Sequence, residues 1–381
     1  MAVIAGLGVV GWVLSVASSA GNIDDLKPID KGATTRIYAA DGSLLGYVQS
    51  NEISSPIPYR SMPPVLRNAT VAIEDQRFWH HGGVDYESIV RAAIRDITSG
   101  KTLQGGSTIT QQLVRNLYIR SPKRDLKRKI REAKLASELE QKHPKWWVLW
   151  KYMNNISYGT VDGRTAIGVQ AASEIYFSKR AKDLSLDQAA LIAGLPQAPS
   201  DYSPFTNPAA AVTRRNEVLQ RMYQNHYITR SQLMRATKAR LRLHPGHVYL
   251  KRHEPYFFDY VQDELIQKYG VNVVRQGGLR VYTTIEPKLQ DTARNAIAGQ
   301  LTLPTDPSSA VVTIDPSNGH ILAMASSGDY KGRQFNLAAQ GHRQPGSAFK
   351  TFVLTTAIKQ GVNPNSTYYT SKPLNLDLPG Y

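Results

Sequence analysis

Residues 2–20 (AVIAGLGVVGWVLSVASSA) form an apolar and small-residue run with no charged side chain, stopped by Asp24, Asp25 and Lys27. A helix needs about 20 such residues to cross a bilayer. The run therefore predicts a transmembrane signal anchor over 1–22, with the rest of the chain outside the cytoplasm. Ser18 and Ala20 also suit a cleaved signal peptide; a buried soluble helix fits poorly, because polar periodicity is missing. Residues 34–60 alternate apolar and polar positions (TTRIYAADGSLLGYVQ) and predict a hairpin around Asp41-Gly42. From 61 to 240 the period becomes helical. Ser61, Pro63 and Pro64 open one helix that runs through Val71 and Ile73. Leu126, Ile130, Ala133, Ala136 and Leu139 recur at spacings of three and four and predict an amphipathic helix over 126–142. Helices are also expected over 145–155, 166–177, 185–195, 255–269 and 287–300, with a strand over 279–285. After Pro304 and Pro307, AVVTIDPSNGHILAMASS predicts two strands around a Pro-Ser-Asn-Gly turn, the start of a mixed domain near 308.

Length and composition narrow this picture. The 381 residues suffice for two or three domains. With 41% hydrophobic and 20% charged residues, wholesale disorder is excluded. The absence of cysteine excludes a disulfide scaffold, a zinc-thiolate site and a cysteine nucleophile. A net charge of +16 points to an anionic partner: nucleic acid, an anionic membrane or a phosphate-bearing substrate.

Candidate chemistry gathers between 74 and 140. Glu74-Asp75 closes a predicted helix and is followed by Phe78, His81 and Gly83. Next comes Gly105-Gly106-Ser107-Thr108-Ile109-Thr110-Gln111-Gln112, whose glycines and short polar side chains suit a loop holding a polyhydroxylated or phosphorylated ligand. A basic stretch follows, with Arg115, Arg120, Lys123, Arg124, Lys127, Arg128, Lys129 and Arg131 around Glu132. Arg128 and Glu132 are four apart and Lys129 is three away, so they share a helix face. Cations there would keep a carboxylate ionised and could neutralise a diphosphate leaving group. Glu74 stands outside that basic stretch and beside apolar residues, the better setting for a base tuned upward.

Taken in order, E-D-x-x-F-x-x-H-x-G, GGSTITQQL and R-K-x-x-E-x-x-x-A-x-x-L-E resemble the peptidoglycan glycosyltransferases, glycosyltransferase family 51, the membrane-bound half of bifunctional (class A) penicillin-binding proteins. The similarity continues through Tyr152-Met153-Asn154-Asn155, Gly168 to Phe177, LSLDQAALIAGLPQAP and Arg214-Arg215-Asn216, covering roughly 35–235. It implies a mainly α, lysozyme-like glycosyltransferase domain over 35–240, a linker over 241–307, and the beginning of an α+β, β-lactamase/transpeptidase-like domain over 308–381. It implies polymerisation of lipid II into glycan strands in bacterial cell-wall synthesis, with inversion at the anomeric carbon and release of undecaprenyl diphosphate. Glu74 would be the base. Glu132 with Arg124, Arg128 and Lys129 would serve the diphosphate, where a divalent cation (magnesium or manganese) could join without being obligatory. Asp75, Phe78, His81, Gly83, Gly105, Gly106, Ser107, Thr108, Thr110, Gln111, Gln112 and Arg115 would line the substrate cleft. Arg115 stands where the family usually has lysine, turning a point charge into a fork. The amphipathic stretch 84–104 could be a membrane-dipping lobe. The implied setting is the bacterial cell membrane, single-pass, with lipid II, the growing glycan, the membrane and cell-wall assembly proteins as partners.

A second site is expected at Ser347 and Lys350 in R-Q-P-G-S-A-F-K. Three apart at a helix start, a lysine amine can take the serine proton. With FNLAAQ upstream this resembles the opening of a penicillin-binding transpeptidase domain. Ser347 would be acylated by D-Ala-D-Ala stem peptides, and by β-lactams if the domain is completed. No S-x-N or K-T-G motif follows Ser347, so an incomplete domain without transpeptidase activity is expected of this chain. Two rivals stand beside this reading. A nucleic-acid binder would explain +16, but the apolar N-terminus and Glu132 argue against it. A noncatalytic membrane-tethered cell-wall scaffold would explain the anchor, but leaves the Glu74–Glu132 pair without a use.

Overall fold

The structure, a computed structural model, describes residues 2–29, 32–88, 106–119, 125–246, 249–303, 305–332 and 334–368, with the backbone alone for 2–9. The expected membrane-dipping stretch lies mostly outside these residues, as do Gly105, Arg120, Lys123 and Arg124.

The N-terminal run forms helix α1, Ala2–Ser18, of 17 residues. At 1.5 Å per residue that is about 25 Å, against roughly 30 Å of bilayer hydrocarbon. Among the described residues no helix is long and apolar enough to cross a membrane; the helix stops short of the expected span at 22. Strands β1 (Arg36–Tyr38) and β2 (Leu44–Tyr47) make the predicted hairpin, with Asp41 accepting from the Ser43 amide and Gly42 at φ +80° in the turn. Strand β3 (Glu52–Ser54) follows.

Helix α2, Pro64–Glu74, starts with proline in its first turn, where a missing N–H costs nothing, and ends at Asp75 in non-helical backbone. Helix α3, Ile109–Tyr118, begins at a capping box of Thr108 and Gln111. Helix α4, Leu126–Lys142, has the predicted bounds; the Asp125 carboxylate caps it by accepting from the Arg128 amide at 2.7 Å. Pro144 separates it from α5, Lys145–Asn155. A hairpin of β4 (Ser157–Val161) and β5 (Arg164–Ile167) precedes α6, Val169–Phe177. The expected helix over 166–177 thus begins late, because its first residues are a strand that pairs with both β4 and β3. Then come α7 (Leu186–Gly194), α8 (Pro208–Gln224) and α9 (Arg230–Lys238).

The main core gathers Leu66, Phe78, Ile109, Leu113, Leu135, Leu149, Tyr152 and Tyr176 from α2 to α6. Small residues let α2, α7 and α8 approach closely, with Ala69, Ala72, Ala190 and Ala193 beside Val218 and Leu219. These helices carry the polar side chains described below.

Helices α10 (Pro255–Tyr269), α11 (Val271–Gln276) and α12 (Pro287–Gln300) flank strand β6, Arg280–Tyr282, which is shorter than the expected 279–285. Strand β6 pairs in parallel with β1, giving the sheet order β2-β1-β6. The segment expected as a linker therefore shares a sheet with the N-terminal hairpin. Strands β7 (Ala310–Ile314) and β8 (Ile321–Ser326) pair antiparallel as predicted, and are followed by α13 (Leu337–Gln340) and α14 (Lys350–Lys359).

Candidate functional site

Glu74 ends α2 half-buried, facing α3, α5 and α8. Its Oε2 accepts from Gln112 Nε2 at 2.8 Å; Gln112 Oε1 in turn accepts from the Tyr152 hydroxyl at 2.9 Å. This chain fixes the amide so that its NH₂ faces the carboxylate. Oε1 is screened from water and has no hydrogen-bond partner among the described residues. Burial pushes the Glu74 carboxyl above its ordinary value, against the Gln112 hydrogen bond and the positive charges of Arg214 and Arg115. The cation nearest in sequence, Arg77, pairs instead with Asp85 and Glu87; the fold brings Arg214 and Arg115, and desolvation still wins.

Glu132 sits oppositely. Its side chain has no exposed surface, with Arg128 Nε at 3.0 Å and Lys129 Nζ at 3.2 Å. Neither carboxylate oxygen makes an aligned hydrogen bond. The pairing is held by charge, which leaves guanidinium N–H groups of Arg128 to meet an anion. Lys129 also donates to the Ser107 hydroxyl, joining the loop before α3 to the cation cluster. The site thus holds a poorly solvated carboxylate and a second, cation-clamped one. The first can take a proton; the second organises positive charge.

The structure sorts the other predicted residues. Gln112, Arg115, Ser107, Gly106, Arg128 and Lys129 keep accessible surface. Asp75, Phe78, Gly83, Thr108, Thr110 and Gln111 are buried, and the His81 ring is only 5% exposed. They hold the surrounding elements together from beneath the surface. Asp75 accepts from His81 Nε2 at 2.9 and 3.0 Å and from the Ile109 amide at 3.0 Å, so it ties the end of α2 to the start of α3. Thr108 donates to the Gly83 carbonyl at 2.6 Å, and Thr110 donates to Glu140. Phe78 is fully buried, with Lys145 Nζ 4.4 Å from its ring centre. At Gly83 a Cβ would lie 2.5 Å from the Ala136 backbone, so only glycine allows this approach to α4. Asp75, His81 and Asp85 bring metal-ligand atoms within 4.8 Å of one another. Those groups already serve other partners: Asp75 as above, and Asp85 through Ser88 and Arg77. Sequence reasoning missed Tyr152 and Arg214 as site residues, although both fall within the family-like blocks.

The transglycosylase family model matches residues 41–223, and the penicillin-binding protein transpeptidase domain model matches 309–377. The chain is 37% identical over 334 residues to penicillin-binding protein 2D of Bacillus subtilis (strain 168), covering 87% of this chain and 48% of that one. It is 31% identical over 452 residues to penicillin-binding protein 1A of Aquifex aeolicus (strain VF5), covering 96% and 61%. The chain belongs to the class A penicillin-binding proteins. A further relative, penicillin-binding protein 1A of Escherichia coli (strain K12), is 39% identical over 277 residues, covering 72% and 32%. The chain spans 32% to 61% of the length of these three relatives.

Within this class A penicillin-binding protein, the helical transglycosylase region holds both carboxylates, and the transpeptidase-type region holds Ser347 and Lys350. Ser347 lies in the 3-10 turn Gly346–Phe349 and Lys350 opens α14; both are exposed. Among the described residues no side-chain hydrogen bond joins Ser347 to Lys350.

Proposed function

We propose that the chain polymerises lipid II into glycan strands. Glu74 takes the proton of the acceptor sugar hydroxyl; the freed oxygen pair attacks the donor's anomeric carbon. The bond from that carbon to the lipid diphosphate breaks, and attack opposite the leaving group inverts the carbon. Arg128 and Lys129, organised by Glu132, receive the developing diphosphate charge. The observation that carries this reading is the contrast between Glu74, dry with one idle oxygen, and Glu132, clamped between cations. One base and one stabilised leaving group are what an inverting displacement needs. Among the described residues Glu132 offers a divalent cation a single carboxylate that already sits between two cations, and Arg128 and Lys129 supply the positive charge themselves. Helix α1 would hold the protein at the bacterial membrane, beside its lipid-linked substrate and outside the cytoplasm.

The test is a gel assay of glycan chains from labelled lipid II with the detergent-solubilised chain. Glu74→Gln keeps the size and the Gln112 contact but cannot accept a proton, and its rate should fall by about 100-fold or more. Undiminished polymer from this variant would remove Glu74 from the chemistry.

A further inference from the structure

Two adjacent glutamines near the start of α3 are spent in different directions. Gln111 closes the capping box: its Oε1 accepts from the Thr108 amide at 3.0 Å, and its backbone N–H donates to the Thr108 hydroxyl at 3.1 Å. Gln112 turns to Glu74 instead and occupies Oε2 with one N–H. A side-chain amide has a donor end and an acceptor end; turned about, Gln112 would set a lone pair against the carboxylate. The other end decides the orientation, because there Oε1 accepts from the Tyr152 hydroxyl. A phenol that had only to fill space would be matched by phenylalanine, since burying a hydroxyl is favourable only when it is bonded.

The placement of Tyr152 is fixed independently of the site. The residue is fully buried in α5. Helix α5 is fastened to the segment after β3. Asn154 Oδ1 accepts from the Ile57 amide at 3.0 Å, and the Ile57 carbonyl accepts from Asn154 Nδ2 at 2.9 Å and from Trp150 Nε1 at 2.8 Å. Burial holds the Tyr152 phenol well above the ordinary tyrosine range, so it stays a donor through neutral pH. With Oε2 of Glu74 taken by Gln112, Oε1 is the oxygen left without a partner among the described residues. The chain from Tyr152 through Gln112 thus divides the carboxylate into an occupied oxygen and an idle one.

We propose that Tyr152 is a positioning residue of the glycosyl-transfer site: through Gln112 it holds Oε2 of Glu74 and so reserves Oε1 for the acceptor sugar's hydroxyl. This inference rests on the reading of Glu74 as the base. Tyr152 touches no reacting atom; it acts through the amide. The charges acting on Glu74 are those of Arg115 from α3, Arg214 from α8 and the neighbouring Asp75, while the phenols of Tyr152 in α5 and Tyr158 in β4 stay neutral. Tyr152→Phe leaves all three charges in place and releases the amide alone. Once turned, Gln112 withdraws its donor from the ionised carboxylate, and Glu74 becomes harder to ionise.

The experiment compares wild type, Tyr152→Phe, Gln112→Met, the double variant and Glu74→Gln, each as the full chain in detergent with labelled lipid II, across pH. Tyr152→Phe should lower kcat about three- to tenfold near neutral pH with KM little changed, and its acidic limb should move up by roughly half a unit to one unit. Gln112→Met should move the limb the same way. In the double variant the tyrosine change should add less than about twofold to the glutamine change, because the chain is already cut. A loss of packing alone would lower the rate equally at every pH and would add in full with or without Gln112. A wild-type profile in Tyr152→Phe or in Gln112→Met, a loss without movement of the limb, or full additivity each overturns the proposal. Full activity in Glu74→Gln would instead overturn the reading of the base, and so separates the two failures.

Discussion

At the scale of single residues, the site turns on two carboxylates placed in opposite surroundings. Glu74 loses water and gains one amide donor, and its proton affinity rises. Glu132 loses all exposure but sits between two cations. Burying such a pair carries a desolvation cost that only close opposite charge can offset. The Glu74 shift has a consequence for stability. A carboxyl whose folded value is raised stabilises the fold fully only below its unfolded value. That contribution is lost as pH rises through the folded value. Glu74→Gln should therefore match wild type in acid and become the more stable protein as pH climbs above the ordinary glutamate range. Thermal unfolding of both proteins from pH 4 to pH 8 checks this; a gap that shrinks with rising pH would contradict it. The clamp on Glu132 was legible in the sequence, because its cations stand three and four residues away on one helix face; the surroundings of Glu74 were not, because Gln112, Arg115 and Arg214 come from other helices. The directions of Asp75, His81, Thr108 and Gln111 were not either. A short polar side chain in a Gly-rich stretch can serve a ligand or cap a helix, and only the packing decides. Arg214 acts on Glu74 from far along the chain, so no local spacing marks it.

At the scale of elements, the candidate site keeps its arrangement because α2, α3 and α4 are tied at their ends. Asp75 joins α2 to α3, Thr108 joins α3 to the loop at Gly83, and Gly83 presses on Ala136 of α4. That loop needs both a positive φ, +28°, and no side chain. Gly83→Ala should cost about 1–3 kcal/mol through strain and displacement of the α4 contact. The loss should show as a lower denaturation midpoint with an unchanged slope. A variant as stable as wild type would mean that the loop yields at no cost. Helix bounds were well marked in advance where proline or a capping side chain fixes them, as at Pro64, Asp125 and Pro144. The start of α6 was not, because Arg164–Ile167 is apolar enough for either period and is claimed by strand pairing with β3 and β4. Sequence separation hid that choice: Glu52 pairs with Thr165 across the whole helical cluster.

At the scale of the molecule, the same long-range pairing joins regions that composition separates. The hairpin at 36–47 reads as the opening of the helical domain, yet β1 pairs with β6. Ile37, Ala39, Leu45 and Val48 bury their side chains against Phe257, Phe258, Val274, Ile285 and Met324. This second core draws on the N-terminal hairpin, the segment expected as a linker, and strand β8 of the transpeptidase-type region. Phe258 is fully buried within it, and a Cβ at Gly46 would lie 3.0 Å from its ring. Phe258→Ala should remove about 3–5 kcal/mol from this unit, since a ring-sized void forms where β1, β2 and α10 meet. The site at Glu74 draws instead on the separate core of α2 to α6. Hydrogen exchange should therefore quicken at amides 36–47 and 280–285 in this variant, while those of α3 and α5 keep their protection and glycan polymerisation persists. Equal loss of protection in both cores would show that the hairpin and the catalytic helices unfold as one unit, and that the N-terminal strands are part of the foundation on which Glu74 stands.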